Sequence, residues 1–75
     1  MTIRQSGEER RVQIVRAALA LMADRPVAEV TTRALADLVG VSQPALFKHF
    51  PDREAILVAA LDTVRSDLRT LADEV

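Results

Sequence analysis

Gly40 and Ser42 stand two residues apart in the run LVGVSQPALF, and between them they leave the backbone few choices. Glycine adopts the left-handed conformation at no steric cost and commonly ends a helix. A serine hydroxyl, in turn, accepts a hydrogen bond from an unpaired N–H in the first turn of a helix that follows it. Pro44 falls in that first turn, where its missing N–H breaks no intrahelical bond. The run therefore predicts one helix that stops at Gly40 and a short second helix that starts near Gln43. Two helices joined by a tight turn containing glycine describe a helix-turn-helix. Ala36, small where the two helices would cross, and Leu46, pointing back from the second helix, fit that arrangement. The rest of the chain must pack around this pair. With 75 residues it forms one small domain, and a chain of that size buries only roughly 60% of its unfolded surface, which disfavours a large enclosed active site.

Hydrophobic spacing predicts the elements on either side. Ile14, Val15, Ala18, Leu19, Leu21 and Met22 recur at intervals of three and four, giving a first helix from Glu8 to about Ala23. Glu8 and Glu9 suit its positive N-terminal end. Residues 1–7, MTIRQSG, have no period and read as a flexible arm carrying Arg4, while DRPVAEV reads as a loop. Thr31 is the candidate N-cap of the second helix, whose buried side is Leu35, Ala36, Leu38 and Val39. The third helix is expected from Gln43 to about Phe50, where Pro51 and Asp52 end it and cap a fourth. In that fourth helix Leu57, Leu61, Val64, Leu68, Leu71 and Val75 repeat every three or four residues, widened by Ile56 and Ala60. Three short helices cover only its first turns, so the remainder is expected to face water, and an exposed apolar stripe marks a missing partner surface. The fold class is thus all-α: an arm at 1–7, a helix-turn-helix domain at 8–53, and at 54–75 a connecting helix. That helix is expected to lead to a further domain or to dimerise.

Composition narrows the function. The chain is 49% hydrophobic and 28% charged, has no cysteine, and holds no apolar run approaching the ~20 residues that cross a bilayer. A cytoplasmic, non-membrane protein is expected. The net charge of −1 argues at first sight against a nucleic-acid partner, but its distribution is uneven. Residues 1–53 hold eight Lys or Arg against six Asp or Glu, whereas residues 54–75 hold two against five. A basic first part and an acidic second part is the asymmetry of a nucleic-acid face and its opposite side. His49 has no second His, Cys or carboxylate cluster at ligand spacing, which speaks against a metal. Ser42 is a cap, and no nucleophile, base and orienting group come together, so neither an enzyme nor a cofactor is expected.

The run TTRALADLVGVSQPALFKHFPDREAILVAAL, Thr31 to Leu61, resembles the DNA-binding domain of the TetR family of bacterial transcriptional regulators. The resemblance rests on Thr-x-Arg-x-x-Ala, Gly-Val-Ser, a short helix ending in aromatic-x-His-Phe, and a capping Asp-x-Glu-Ala. It implies that Gln43, Pro44 and Ala45 form the tip of a helix that enters the major groove. Gln43 would pair with an adenine edge, and Pro44 and Ala45 would meet thymine methyls. It further implies that Lys48 and His49 face phosphates, that Arg33 touches a base or phosphate, and that Thr31 or Thr32, Ser42 and Arg53 belong to the same DNA-facing set. The sequence departs from the family at Phe47, which replaces the usual Tyr and its phosphate-binding hydroxyl, and at Pro26, where many members have Gly. By resemblance the protein is a repressor, a homodimer on an inverted-repeat operator, released by a small-molecule inducer bound to a C-terminal domain.

Plainer readings stand beside these. Gln43 taken alone is an ordinary solvated residue, Phe47 suits core or backbone contact equally, and Arg10 and Arg11 suit a solvated face, although with Arg4 they could reach flanking phosphates. Phe50 is expected in the core. A rival from another class is a protein-interaction module that uses the fourth-helix stripe and keeps the helix-turn-helix as scaffold. The exposed side of the third helix discriminates, since a scaffold has no use for Gln43, Lys48 and His49 there.

Overall fold

The computed structural model describes residues 7–73. Helix α1 spans Gly7–Asp24, a single 3₁₀ turn covers Val27–Glu29, and α2 spans Thr32–Val39. Helix α3 is Gln43–Phe47 and α4 is Arg53–Asp73. Arg4 with the rest of 1–6, and Val75 at the end of the apolar stripe, lie outside the described residues. The all-α class expected from the spacing is the one observed.

Each helix boundary has a local cause. Thr31 Oγ1 accepts from the Ala34 N–H at 3.0 Å and Ser42 Oγ from the Ala45 N–H at 3.2 Å, so both predicted caps are made. Asp52 Oδ1 caps α4 in the same way, accepting from the Ala55 N–H at 2.8 Å. At the end of α2, Gly40 sits at φ 85° and ψ 34°. There the carbonyl of Ala36 accepts from the N–H groups of both Gly40 and Val41, at 2.8 and 3.0 Å. That left-handed residue reverses the chain and frees Ser42 to begin α3 two residues later.

Helix α1 packs against both α2 and α4, and α3 leans on α2. The core between them contains Ile14, Ala18, Leu21, Leu35, Leu46, Phe50, Ile56 and Ala60, joined by Val30 from the loop. Leu46 turns inward with no exposed surface and Phe50 is buried, as expected.

Four details depart from the sequence reading. The first helix takes in Gly7, assigned above to the arm. The segment DRPVAEV is not a featureless loop, because its 3₁₀ turn delivers Val30 into the core, fully buried. Leu38, expected to be buried, is 54% exposed. Finally α3 ends at Phe47 rather than near Phe50. After Phe47 the chain tightens into i→i−3 bonding, with Lys48 N–H donating to Ala45 O at 3.2 Å and His49 N–H to Leu46 O at 3.1 Å. Phe50 N–H still reaches Leu46 O at 3.3 Å, and Pro51, which has no N–H and disfavours the helical conformation at Phe50, bars any continuation.

Candidate nucleic-acid interface

Helix α3 is held from behind and bare in front. Leu46 anchors it in the core, and the Ser42 cap fixes its first turn. Successive helical residues are 100° apart, so with Leu46 inward Phe47, Pro44 and Lys48 lie about 100–160° away from it, while Gln43, about 60° from Leu46, is open because it stands in the first turn. All four are exposed, and Ala45 and His49 at the margins are half-buried. Phe47, which suited either core or surface, is 43% exposed and faces outward. At 1.5 Å per residue the five residues of α3 span only ~7.5 Å, so this element presents its N-terminal tip rather than its length.

The far end of α3 is fastened to α1. Arg11 Nη1 donates to the carbonyl of His49, and its guanidinium carbon lies 4.3 Å from the centroid of the Phe50 ring. A cation over an aromatic face and a charged donor on a carbonyl are both favourable. Arg11 is thus a clamp between α1 and the end of α3, a role that spacing alone does not reveal because the partners are 38 residues apart. His49 also lies beside the start of α1, where a Cβ built on Gly7 would come 4.0 Å from its Cε1.

The start of α2 adjoins the start of α3. Thr32 Oγ1 donates to Gln43 Oε1 at 3.0 Å, linking the first residues of the two helices. Its only hydroxyl hydrogen is therefore engaged. Thr31, by contrast, accepts from Ala34 through its oxygen and keeps its own hydrogen to donate. Arg33 and Lys48 are exposed, with no ion-pair partner among the described residues.

Arg53 is engaged inside the chain. Its Nε donates to the Val30 carbonyl at 2.7 Å, Nη2 to the Val27 carbonyl, and Nη1 pairs with Glu54 at 3.0 Å. The guanidinium closes the 3₁₀ turn onto the start of α4, using three of its five N–H groups. On another flank, Arg10, Gln13, Arg16 and the exposed Leu38 line an open cleft of about 620 Å³ against Gly40. Among the described residues no three His, Cys, Asp or Glu gather where they could hold a metal ion. No helix there is long and apolar enough to cross a membrane.

An all-α domain in which a left-handed Gly40 joins two capped helices, the second showing a polar and basic outer side, is a helix-turn-helix domain. The family described as "Bacterial regulatory proteins, tetR family" matches residues 14–60, and the chain belongs to it. It is 38% identical to the HTH-type transcriptional regulator EthR of Mycobacterium tuberculosis (strain CDC 1551 / Oshkosh), over 96% of this chain and 35% of that protein. It is 40% identical to the tetracycline repressor protein class A from transposon 1721 of Escherichia coli, over 76% of this chain and 26% of the repressor. The nucleoid occlusion factor SlmA of Marinomonas sp. (strain MWYL1) is 37% identical over 83% of this chain and 32% of that factor. The chain thus spans about a third of the length of the curated relatives it matches. No solved structure gives a significant match.

Proposed function

We propose that this chain is a sequence-specific DNA-binding domain of a transcriptional regulator, one that inserts the tip of α3 into the major groove. The observation that carries the reading is the exposure of Gln43, Pro44, Phe47 and Lys48 on a helix that is locked by Leu46 and the Ser42 cap. Gln43 reads a base edge, and Pro44 and Ala45 meet thymine methyls. Lys48, His49 and the free hydroxyl hydrogen of Thr31 take phosphates, and Arg33 takes a base or phosphate from the start of α2. Arg53 braces this face from within and offers its two remaining N–H groups to a phosphate at the start of α4. Phe47 contributes apolar contact alone, having no hydroxyl.

At the level of the whole protein, the reading extends to a cytoplasmic, non-enzymatic repressor working as a homodimer on an inverted repeat. The relatives named as repressor and regulators support it. A single module of this size binds weakly, and a second copy turns the second half-site into an effectively intramolecular event. A small-molecule inducer bound elsewhere in the protein would release DNA by changing the separation of the two α3 helices, because half-sites one turn apart tolerate only one spacing. The exposed stripe of α4 at Leu61, Leu68 and Leu71 supplies a surface for the dimer or for a further domain.

The test is to incubate the chain with a pool of random duplexes at several salt concentrations and to sequence what it retains. Salt-sensitive enrichment of a half-site or inverted repeat is expected. Absence of binding at low salt, even with the chain fused to a dimerising partner, would overturn the reading in favour of an interaction module built on α4.

A further inference from the structure

The Thr32–Gln43 contact joins two helices at the point where the proposed reader begins. Gln43 is exposed and carries three rotatable side-chain bonds. Immobilising such a side chain on binding costs roughly twofold to tenfold in affinity, a penalty that prior fixation removes. The fixing group is stiff. Thr32 is β-branched and sits in the first turn of α2, and α2 and α3 are locked together by the burial of Leu35 and Leu46. Its hydroxyl therefore stands at a set place relative to the Gln43 backbone, which the Ser42 cap holds in turn.

We propose that Thr32 is a positioning residue for base readout, holding the Gln43 amide in place so that its Nε2 end and the second lone pair of Oε1 meet a purine edge. This rests on the reading of α3 as the DNA reader. Adenine presents an N7 acceptor beside an N6 donor, which suits an amide offering N–H and C=O together. With Oε1 tied to α2, the amide meets that edge in one orientation. An untethered glutamine samples both orientations and many positions, so it discriminates less sharply among base pairs. Thr32 thereby shapes specificity without touching DNA, and its hydroxyl hydrogen is unavailable to a phosphate.

Five chains decide the matter: the native chain, Thr32→Val, Thr32→Ser, Gln43→Ala and the double variant Thr32→Val with Gln43→Ala, each titrated with the preferred duplex and with duplexes altered at the base pair that Gln43 reads. Thr32→Val keeps the shape and removes the donor. It is expected to weaken the preferred duplex roughly twofold to tenfold and leave the altered duplexes and the salt slope unchanged. Thr32→Ser should retain the native preference, and Thr32→Val should add nothing on a Gln43→Ala background. Uniform loss on all duplexes, the preferred one included, with the salt slope unchanged because a neutral hydroxyl displaces no counterion, would make Thr32 a phosphate ligand and overturn the proposal. So would a Thr32→Val chain with native preference. Side-chain ¹⁵N relaxation of the Gln43 amide in the free chain separates this proposal from the DNA reading itself. The amide is expected to be rigid in the native chain and mobile in Thr32→Val. Equal mobility would refute positioning whatever the DNA result, whereas a rigid amide in a chain that binds no duplex would refute the DNA reading.

Discussion

Side chains that look alike in the sequence do different work in the fold, and mutation should separate them. Gln43→Ala removes a base contact while leaving the backbone anchors, so it is expected to cost about 1–3 kcal/mol on the preferred duplex and far less on others. Lys48→Ala should weaken all duplexes alike and lower the salt slope by about one. Equilibrium titrations at several salt concentrations read both effects. Arg53 belongs to a third kind. Its guanidinium satisfies the carbonyls of Val30 and Val27 from the start of α4, and charge-assisted hydrogen bonds of this sort are worth about 1.5–3 kcal/mol. Arg53→Ala is therefore expected to lower the unfolding free energy by an amount of that order, measured by urea denaturation. Arg53→Lys should recover only part, because an ammonium lacks the planar fork that reaches two carbonyls at once. The sequence placed all three cations or polar groups together near the third helix. It did not set Arg53 apart from the phosphate-facing Lys48, since a carbonyl acceptor 23 residues away leaves no local trace.

The elements were easier to read than the residues because their ends are written in local chemistry. Thr31, Ser42 and Asp52 cap the helices that follow them, and Gly40 ends α2 with a positive φ. A Cβ at Gly40 would meet nothing within 4 Å, so the penalty for substitution there is conformational alone. Gly40→Ala is expected to cost about 1–2 kcal/mol, the cost of the left-handed conformation for an ordinary residue. In a domain of this size each kcal/mol lowers the melting temperature by about 4–8 °C, which thermal circular dichroism resolves. Gly40→Asn should cost less, since asparagine tolerates that conformation better. The misreadings at this scale fall where local signals are ambiguous or missing. Taking Pro51 as the stop carried α3 to about Phe50, whereas its regular turn closes at Phe47 and the last residues before Pro51 bond as a tighter turn. Val30 sits in a short segment with Val27 and Ala28 and no helical or strand period, so nothing announced that a 3₁₀ turn would bury it.

For the molecule as a whole, the apolar stripe of α4 divides into two parts. Ile56, Leu57 and Ala60 are buried against the other helices, while Leu61, Leu68 and Leu71 are each more than half exposed. The division predicts opposite responses to similar substitutions. Ile56→Ala should cost about 2–5 kcal/mol as a cavity in a small core. Leu68→Gln with Leu71→Gln should leave the unfolding midpoint within about 0.5 kcal/mol per site at low protein concentration, as exposed positions do. If the chain self-associates along this stripe, its native melting temperature rises with protein concentration, and the double variant is expected to lose that dependence. Scanning calorimetry across a hundredfold range of concentration measures both. A large loss of stability in the double variant would mean that the stripe is part of the core.

What the sequence determined by itself was the order and type of the helices, their caps, the left-handed turn between α2 and α3, and the excess of α4's apolar stripe over what three helices could cover. These follow from interactions within about four residues, where backbone hydrogen bonding and side-chain period act directly. Only the tertiary structure decided that Arg11 clamps the end of α3, that Arg53 braces the turn before α2, and that Thr32 holds Gln43. It likewise decided that Phe47 faces outward and Val30 inward. Each of these depends on where packing brings distant backbone and side chains together, and a charged or hydroxyl side chain has the same local signature whether its partner is solvent, DNA or its own fold.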